Sequence, residues 1–207
     1  MAAQPEHVPL DVLIGLTDTG AVDPQRVSCI ATALREARNL VGRRPSDGRL
    51  QRPQHGVTWA GALVYLIYCE QIGSCFKPFG HSHRRRRGKP LSDALVWFAG
   101  FPTDEADDLE ELRNRLAHDY TLRGDHPDAR VFALHGSSQE PVLQRVGQNI
   151  LVGLPALALR IETELNLKLL LLAEDGELLC HHPNGLAGVH QRFWMAILGP
   201  GDASGPI

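Results

Sequence analysis

The segment Arg113-Asn114-Arg115-Leu116-Ala117-His118-Asp119-Tyr120 places guanidinium, carboxamide, imidazole and phenol groups within eight residues. Groups of these types suit cleavage of RNA by its own 2′-hydroxyl, without a metal. A base takes the 2′ proton while that oxygen attacks the adjacent phosphorus. An acid protonates the departing 5′ oxygen, and a cation steadies the crowded phosphate oxygens. Histidine transfers protons near neutral pH, which assigns His118 as general base or acid. Arginine stays charged and donates two hydrogen bonds in a fork, which makes Arg113 the phosphate clamp. Asn114 orients the site. The products would be a 2′,3′-cyclic phosphate end and a 5′-hydroxyl end.

The spacing of Arg113 and His118 is not specific by itself, since roughly one such pair is expected by chance in a chain of this composition. Arg130 and His135 repeat it, but in a predicted strand, with no Asn after the Arg and with Ser137 where the Tyr would stand. Asn114 and Tyr120 lower the chance expectation to roughly a few in ten thousand. With them, the motif resembles that of the HEPN superfamily. Its ribonuclease members carry Arg and His with four to six residues between them, and one toxin branch, paired with small nucleotidyltransferases, also carries the Tyr.

The resemblance implies a small helical bundle and a catalytic site shared across a homodimer. The chain would act as a metal-independent endoribonuclease with no cofactor. It also implies a role in toxin–antitoxin or defence systems and a nucleotidyltransferase-type antitoxin as partner, with Tyr120 as the residue to inspect for nucleotidylation. It covers these eight residues closely and the helical region from about residue 23 to 122 loosely. The segment 130–153 and the C-terminal third lie outside it. Two alternatives stand beside this reading. One is a non-catalytic HEPN-like module that binds RNA, nucleotide or protein, and the other is a helical interaction protein whose motif match is accidental.

Helical geometry decides how the motif could work. Asn114 lies about 40° from His118 around a helix and Tyr120 about 20° from Arg113, but Arg113 and His118 are about 140° apart. One straight helix cannot set both against one phosphate. Either the helix unwinds near His118, or a two-fold axis brings a second copy of the motif alongside. The motif occupies the second half of a predicted helix that starts at Thr103 or Asp104. Asp104, Glu105, Asp107 and Asp108 fill its first turns, where the dipole favours acids, and Leu109, Leu112 and Leu116 form its core stripe. The acidic face should point away from substrate or meet the basic loop.

The remaining elements must hold that helix. Asp23-Pro24 predicts a helix start, with Val27, Ile30, Leu34, Ala37 and Val41 at helical spacing. An apolar helix follows from about Thr58 to Gly73, and a short one, capped by Ser92, runs through Trp97 and Phe98. Residues 130–135, 142–146 and 149–153 predict short strands. Pro155 predicts a last helix with Leu157, Ile161, Leu165 and Leu169 on its apolar face. The expected fold is mainly α: a HEPN-like bundle with a small β-hairpin or three-stranded insertion before the last helix. The expected division is an N-terminal extension over 1–22, a helical domain over 23–173 with its insertion at 130–153, and a C-terminal tail over 174–207.

Hydrophobic residues at 43% and charged residues at 22% provide for an ordinary core, while a net charge of −3 makes any nucleic-acid contact a matter of local patches. Arg84, Arg85, Arg86, Arg87 and Lys89 form one candidate RNA-backbone contact; Arg43, Arg44, Arg49 and Arg52 form another. A solvated loop is the commoner meaning of such a run. Neither His81 and His83 nor Cys180-His181-His182 comes with a second pair at a zinc spacing, so no metal is expected. Cys29, Cys69, Cys75 and Cys180 contain no Cys-x-x-Cys pair, and no export leader or membrane span is evident. A cytoplasmic setting with free thiols is the expectation.

Overall fold

The structure is a computed structural model, and it describes residues 6–18, 26–50, 58–81, 89–118, 121–122, 130–136 and 141–196. Helix α3 (Trp59–Cys75) is the centre of the fold. Its run of apolar residues has no polar side, so it is covered on several sides, with Tyr65, Leu66, Tyr68, Cys69, Ile72 and Cys75 all fully buried. Thr58 starts it, its hydroxyl accepting from the Gly61 N–H at 3.0 Å. Helices α2 (Cys29–Leu40), α4 (Pro90–Ala99) and α5 (Thr103–His118) pack around it. At Gly73 the α4 backbone comes so close that an added Cβ would lie 1.9 Å from the Pro90 carbonyl oxygen. Glycine there lets two helices touch backbone to backbone.

Helix α4 begins at its proline, and Gly100, with φ of 64°, ends it in the left-handed conformation. Ser92 is therefore inside the helix rather than its cap. It is instead tied to α5: its N–H donates to Glu110 at 2.9 Å and its hydroxyl to Asp107 at 3.0 Å. Helix α5 keeps its predicted stripe, with Ala106, Leu109, Leu112 and Leu116 buried.

The strand-rich insertion is real but arranged differently from a simple hairpin. Strands β4 (Val131–His135), β5 (Leu143–Val146) and β6 (Asn149–Gly153) form a sheet in the order β4-β6-β5. β5 and β6 are the hairpin, turning at Gly147 with φ of 60°, while β4 runs parallel to β6. Nor does one last helix follow. Helix α6 (Leu154–Arg160) widens into a π-helical turn (Ile161–Leu165) and continues as α7 (Asn166–Glu174). The predicted apolar face of Leu157, Ile161, Leu165 and Leu169 is buried along this whole rod.

The two ends are woven together rather than set apart. β1 (Glu6–His7) and β3 (Phe76–Pro78) both pair with β7 (Leu178–Cys180), forming a second sheet with β7 in the middle. Helix α1 (Leu10–Thr17) packs on α7 and α2, burying Leu13 and Leu16. Helix α8 (Gly185–Phe193) leads into β8 (Trp194–Ala196), which pairs antiparallel with β2 (Arg26–Ser28). This pairing corrects the predicted start of α2. Residues 26–28 are drawn into a strand by a partner far along the chain, and Ser28 becomes the cap, accepting from the Ala31 N–H at 3.3 Å. Asp23 and Pro24 lie outside the described residues.

Cys69, Cys75 and Cys180 are buried and all four cysteines are free. Among the described residues, no helix is long and apolar enough to cross a membrane, and no cluster of potential metal ligands occurs.

Candidate functional site

Helix α5 stays α-helical through His118, its last residue, so no unwinding before the histidine turns it toward Arg113. The two side chains leave different faces. Arg113 points to α3 and is ion-paired there with Glu70, their side chains 18% and 16% exposed. Its second terminal nitrogen donates to the Asn114 carbonyl oxygen at 2.8 Å, while its Nε is buried with no hydrogen-bond partner. Glu70 is the one charged residue in α3. A lone carboxylate in an apolar helix requires a cation, and this was the available signal that Arg113 already had a protein partner.

His118 is exposed. It lines a surface pocket of about 400 Å³ together with Asn114, Arg115, Lys89, Arg130, Asp107, Glu110 and Glu111. Asn114 thus spans the two faces, touching the Arg113 guanidinium and opening into the pocket of His118. Two of the pocket's cations belong to residues not singled out for the site by sequence. Arg115 is held by Glu111, donates to the Arg130 carbonyl at 2.6 Å and lies over the Phe132 ring at 5.3 Å. Arg130, which spacing alone marked as half of a chance pair, contributes through its own position beside His118 and not through His135. Lys89 is ion-paired with Asp107 at 3.0 Å.

The acidic face of α5 meets arginines at the sheet insertion. Asp108, completely buried, is paired with both Arg130 and Arg145. Arg145 also reaches Asp104 at 2.6 Å, holding that carboxyl below its ordinary range, and Arg130 reaches Glu111 at 3.2 Å. Among the described residues of the basic segment, Lys89 meets this face through Asp107. Glu110 is different: burial pushes its carboxyl up, against the Ser92 N–H that favours its charged form. Within one chain the pocket therefore balances Lys89, Arg115 and Arg130 against three acids, and Arg113 lies outside it.

Tyr120, Arg84, Arg85, Arg86 and Arg87 lie outside the described residues, as do Arg52, His83 and Ser137. His81 and His181 stand edge-on to Trp97 at ring separations of 6.4 Å, which makes Trp97 part of a packed aromatic group.

A second polar cluster has no sequence motif. Arg38 of α2 donates to both carboxylate oxygens of Glu162, at 2.8 and 2.6 Å, and Tyr65 donates to the same carboxylate at 2.9 Å. Arg38 and Glu162 side chains are 8% and 9% exposed. Burial opposes the Arg38 charge, but the Glu162 carboxylate more than offsets it and keeps the guanidinium above its ordinary pKa. Burial also pushes the Tyr65 phenol well up, helped by the same carboxylate. Glu162 lies in the π-helical turn, a local widening often found at functional sites.

No protein-family model, curated protein or solved structure matches the chain.

Proposed function

We propose that the protein is a metal-independent endoribonuclease of HEPN type whose active site is completed by a second copy of the chain. The observation that carries this reading is the exposed His118 at the end of α5, in a pocket shared with Asn114, Lys89, Arg115 and Arg130. An accessible imidazole beside fixed cations suits proton transfer at a phosphodiester. His118 takes the 2′ proton or delivers one to the 5′ oxygen. The 2′-oxygen–phosphorus bond forms as the phosphorus–5′-oxygen bond breaks, leaving cyclic phosphate and 5′-hydroxyl ends. A homodimer supplies two histidines and two Arg113 forks to one cleft. Arg84–Arg87 with Lys89 are the proposed contact for the flanking RNA backbone, and a toxin or defence role with a nucleotidyltransferase antitoxin goes with the family resemblance.

The direct test is incubation of purified protein with RNA in excess chelator. Cleavage leaving cyclic phosphate, lost in His118→Ala and Arg113→Ala, is the expected result. An inert wild type, or variants that cut as well as it does, would remove the reading for the RNA tested. The Glu70–Arg113 ion pair favours a second reading, a non-catalytic module in which Arg113 is structural. In that case Arg113→Ala would lower stability without altering RNA binding.

A further inference from the structure

A second cavity is far from α5 and belongs to no motif. It is a cleft of about 770 Å³ between α1, the loop after α2, and the α6–α7 rod. Its volume falls within the range of roughly 300–1,000 Å³ typical of small-molecule sites. Ile14, Leu50 and Leu159 are among its lining residues and are 43%, 56% and 43% exposed. Large apolar side chains converging at such exposure gain by being covered.

The loop after α2, in which Arg43 and Leu50 are bridge partners, also brings arginines to the cleft. Arg43 donates to the Gly48 carbonyl at 2.9 Å and to the Pro155 carbonyl at 3.4 Å. Those neutral acceptors orient its fork without cancelling its charge, and among the described residues no carboxylate is ion-paired with it. Arg49 is 81% exposed; its guanidinium lies 3.5 Å from Asp47, whose carboxylate also accepts from the Arg49 N–H at 3.1 Å and is ion-paired with Arg44. Asp18 lies on the rim as the remaining acid, and the Arg38–Glu162 pair is internally neutral.

The wall behind these arginines is rigid. Gly48, at φ of 72°, lies against the Arg38–Glu162 pair, where an added Cβ would come within 3.2 Å of both side chains. Arg38 ties the same loop down by donating to the Pro45 carbonyl at 2.9 Å. The buried pair thus ties down the loop that carries Arg43, and Arg43 shares one cleft with exposed apolar side chains.

We infer that this cleft binds a small amphipathic anion, an apolar chain or ring bearing one carboxylate or phosphate, with Arg43 and Arg49 on the anionic group and Ile14, Leu50 and Leu159 on the apolar body. The proposal is independent of the ribonuclease reading. Decanoate, decyl phosphate and neutral decanol, titrated by calorimetry into the full chain below their aggregation concentrations, test it. One saturable site is expected, with at least one of the two anions binding tenfold or more tighter than the alcohol; the better anion identifies the head group. Arg43→Gln should weaken the anion at least tenfold and leave the alcohol unchanged. Thr163→Trp, an exposed position on the cleft, should block all three ligands while the far-ultraviolet circular dichroism stays that of wild type. If Arg43→Gln does not fold, Arg49→Gln replaces it with the same expectation for the anion. No saturable binding, equal affinity for alcohol and anions, or unchanged affinity in folded Thr163→Trp would each overturn the proposal.

Discussion

Replacing Glu162 by Ala removes the acceptor shared by Arg38 and Tyr65 and leaves a guanidinium, 8% exposed, without its carboxylate. Breaking a buried pair by deleting one partner costs about 3–5 kcal/mol, because the remaining charge is uncompensated. At roughly 2–4 °C per kcal/mol for a chain of this size, the melting temperature should fall by about 6–20 °C. The double substitution Arg38→Met with Glu162→Leu leaves no orphaned charge and should recover most of that loss. It keeps a deficit of about 1 kcal/mol for the Tyr65 hydroxyl, which still lacks its acceptor. Denaturant unfolding followed by circular dichroism measures both. A loss under about 1 kcal/mol in Glu162→Ala, or a double variant worse than the sum of its singles, would refute the view that this pair pins the loop to the rod.

Other substitutions probe the packing and the charges around α5. Gly73→Ala should cost about 3 kcal/mol or more, since the added methyl cannot avoid the Pro90 carbonyl without separating α3 from α4; thermal melts would show it. Glu110→Gln has a pH signature. Burial raises the folded pKa of Glu110, so its favourable contribution is full below the unfolded carboxylate range and is lost as pH rises through the folded value. The variant should therefore gain stability relative to wild type at pH 7 and lose that advantage at about pH 4, and equal differences at both pH values in urea titrations would contradict this. Glu70→Gln releases Arg113 from its ion pair and should raise RNA cleavage several-fold if the pair competes with phosphate. Unchanged or lower cleavage in a folded variant would show that Glu70 positions Arg113 instead.

Much of the helical framework was legible because its signals are local. Thr58 caps α3, Gly100 ends α4, and the acids after Pro102 open α5. The separation of Arg113 from His118 on α5 followed from helical angles, whereas the end of the helix at His118 did not. The strands β1, β2, β7 and β8 were not legible. Each is two or three residues long, and Arg26–Ser28 is extended only because Trp194–Ala196 lies beside it. The π-helical turn is equally silent, since one wide turn barely disturbs the apolar period of Leu157, Ile161, Leu165 and Leu169. At the site, Lys89 was legible from composition. Arg115 and Arg130 were not, because their role comes from the docking of the sheet insertion on the acidic face of α5. The Arg38–Glu162 pair joins residues 124 apart in sequence, and no pattern in one chain links them.

The central claim is that Arg113 and His118 act across two copies of the chain. Mixing two inactive variants, Arg113→Ala and His118→Ala, under conditions that exchange subunits tests it most directly. A shared site predicts RNA cleavage above that of either variant alone, since each mixed dimer brings one intact His118 and one intact Arg113 to the cleft. No recovery, with wild-type cleavage present and subunit exchange verified by tagged copies, would contradict it.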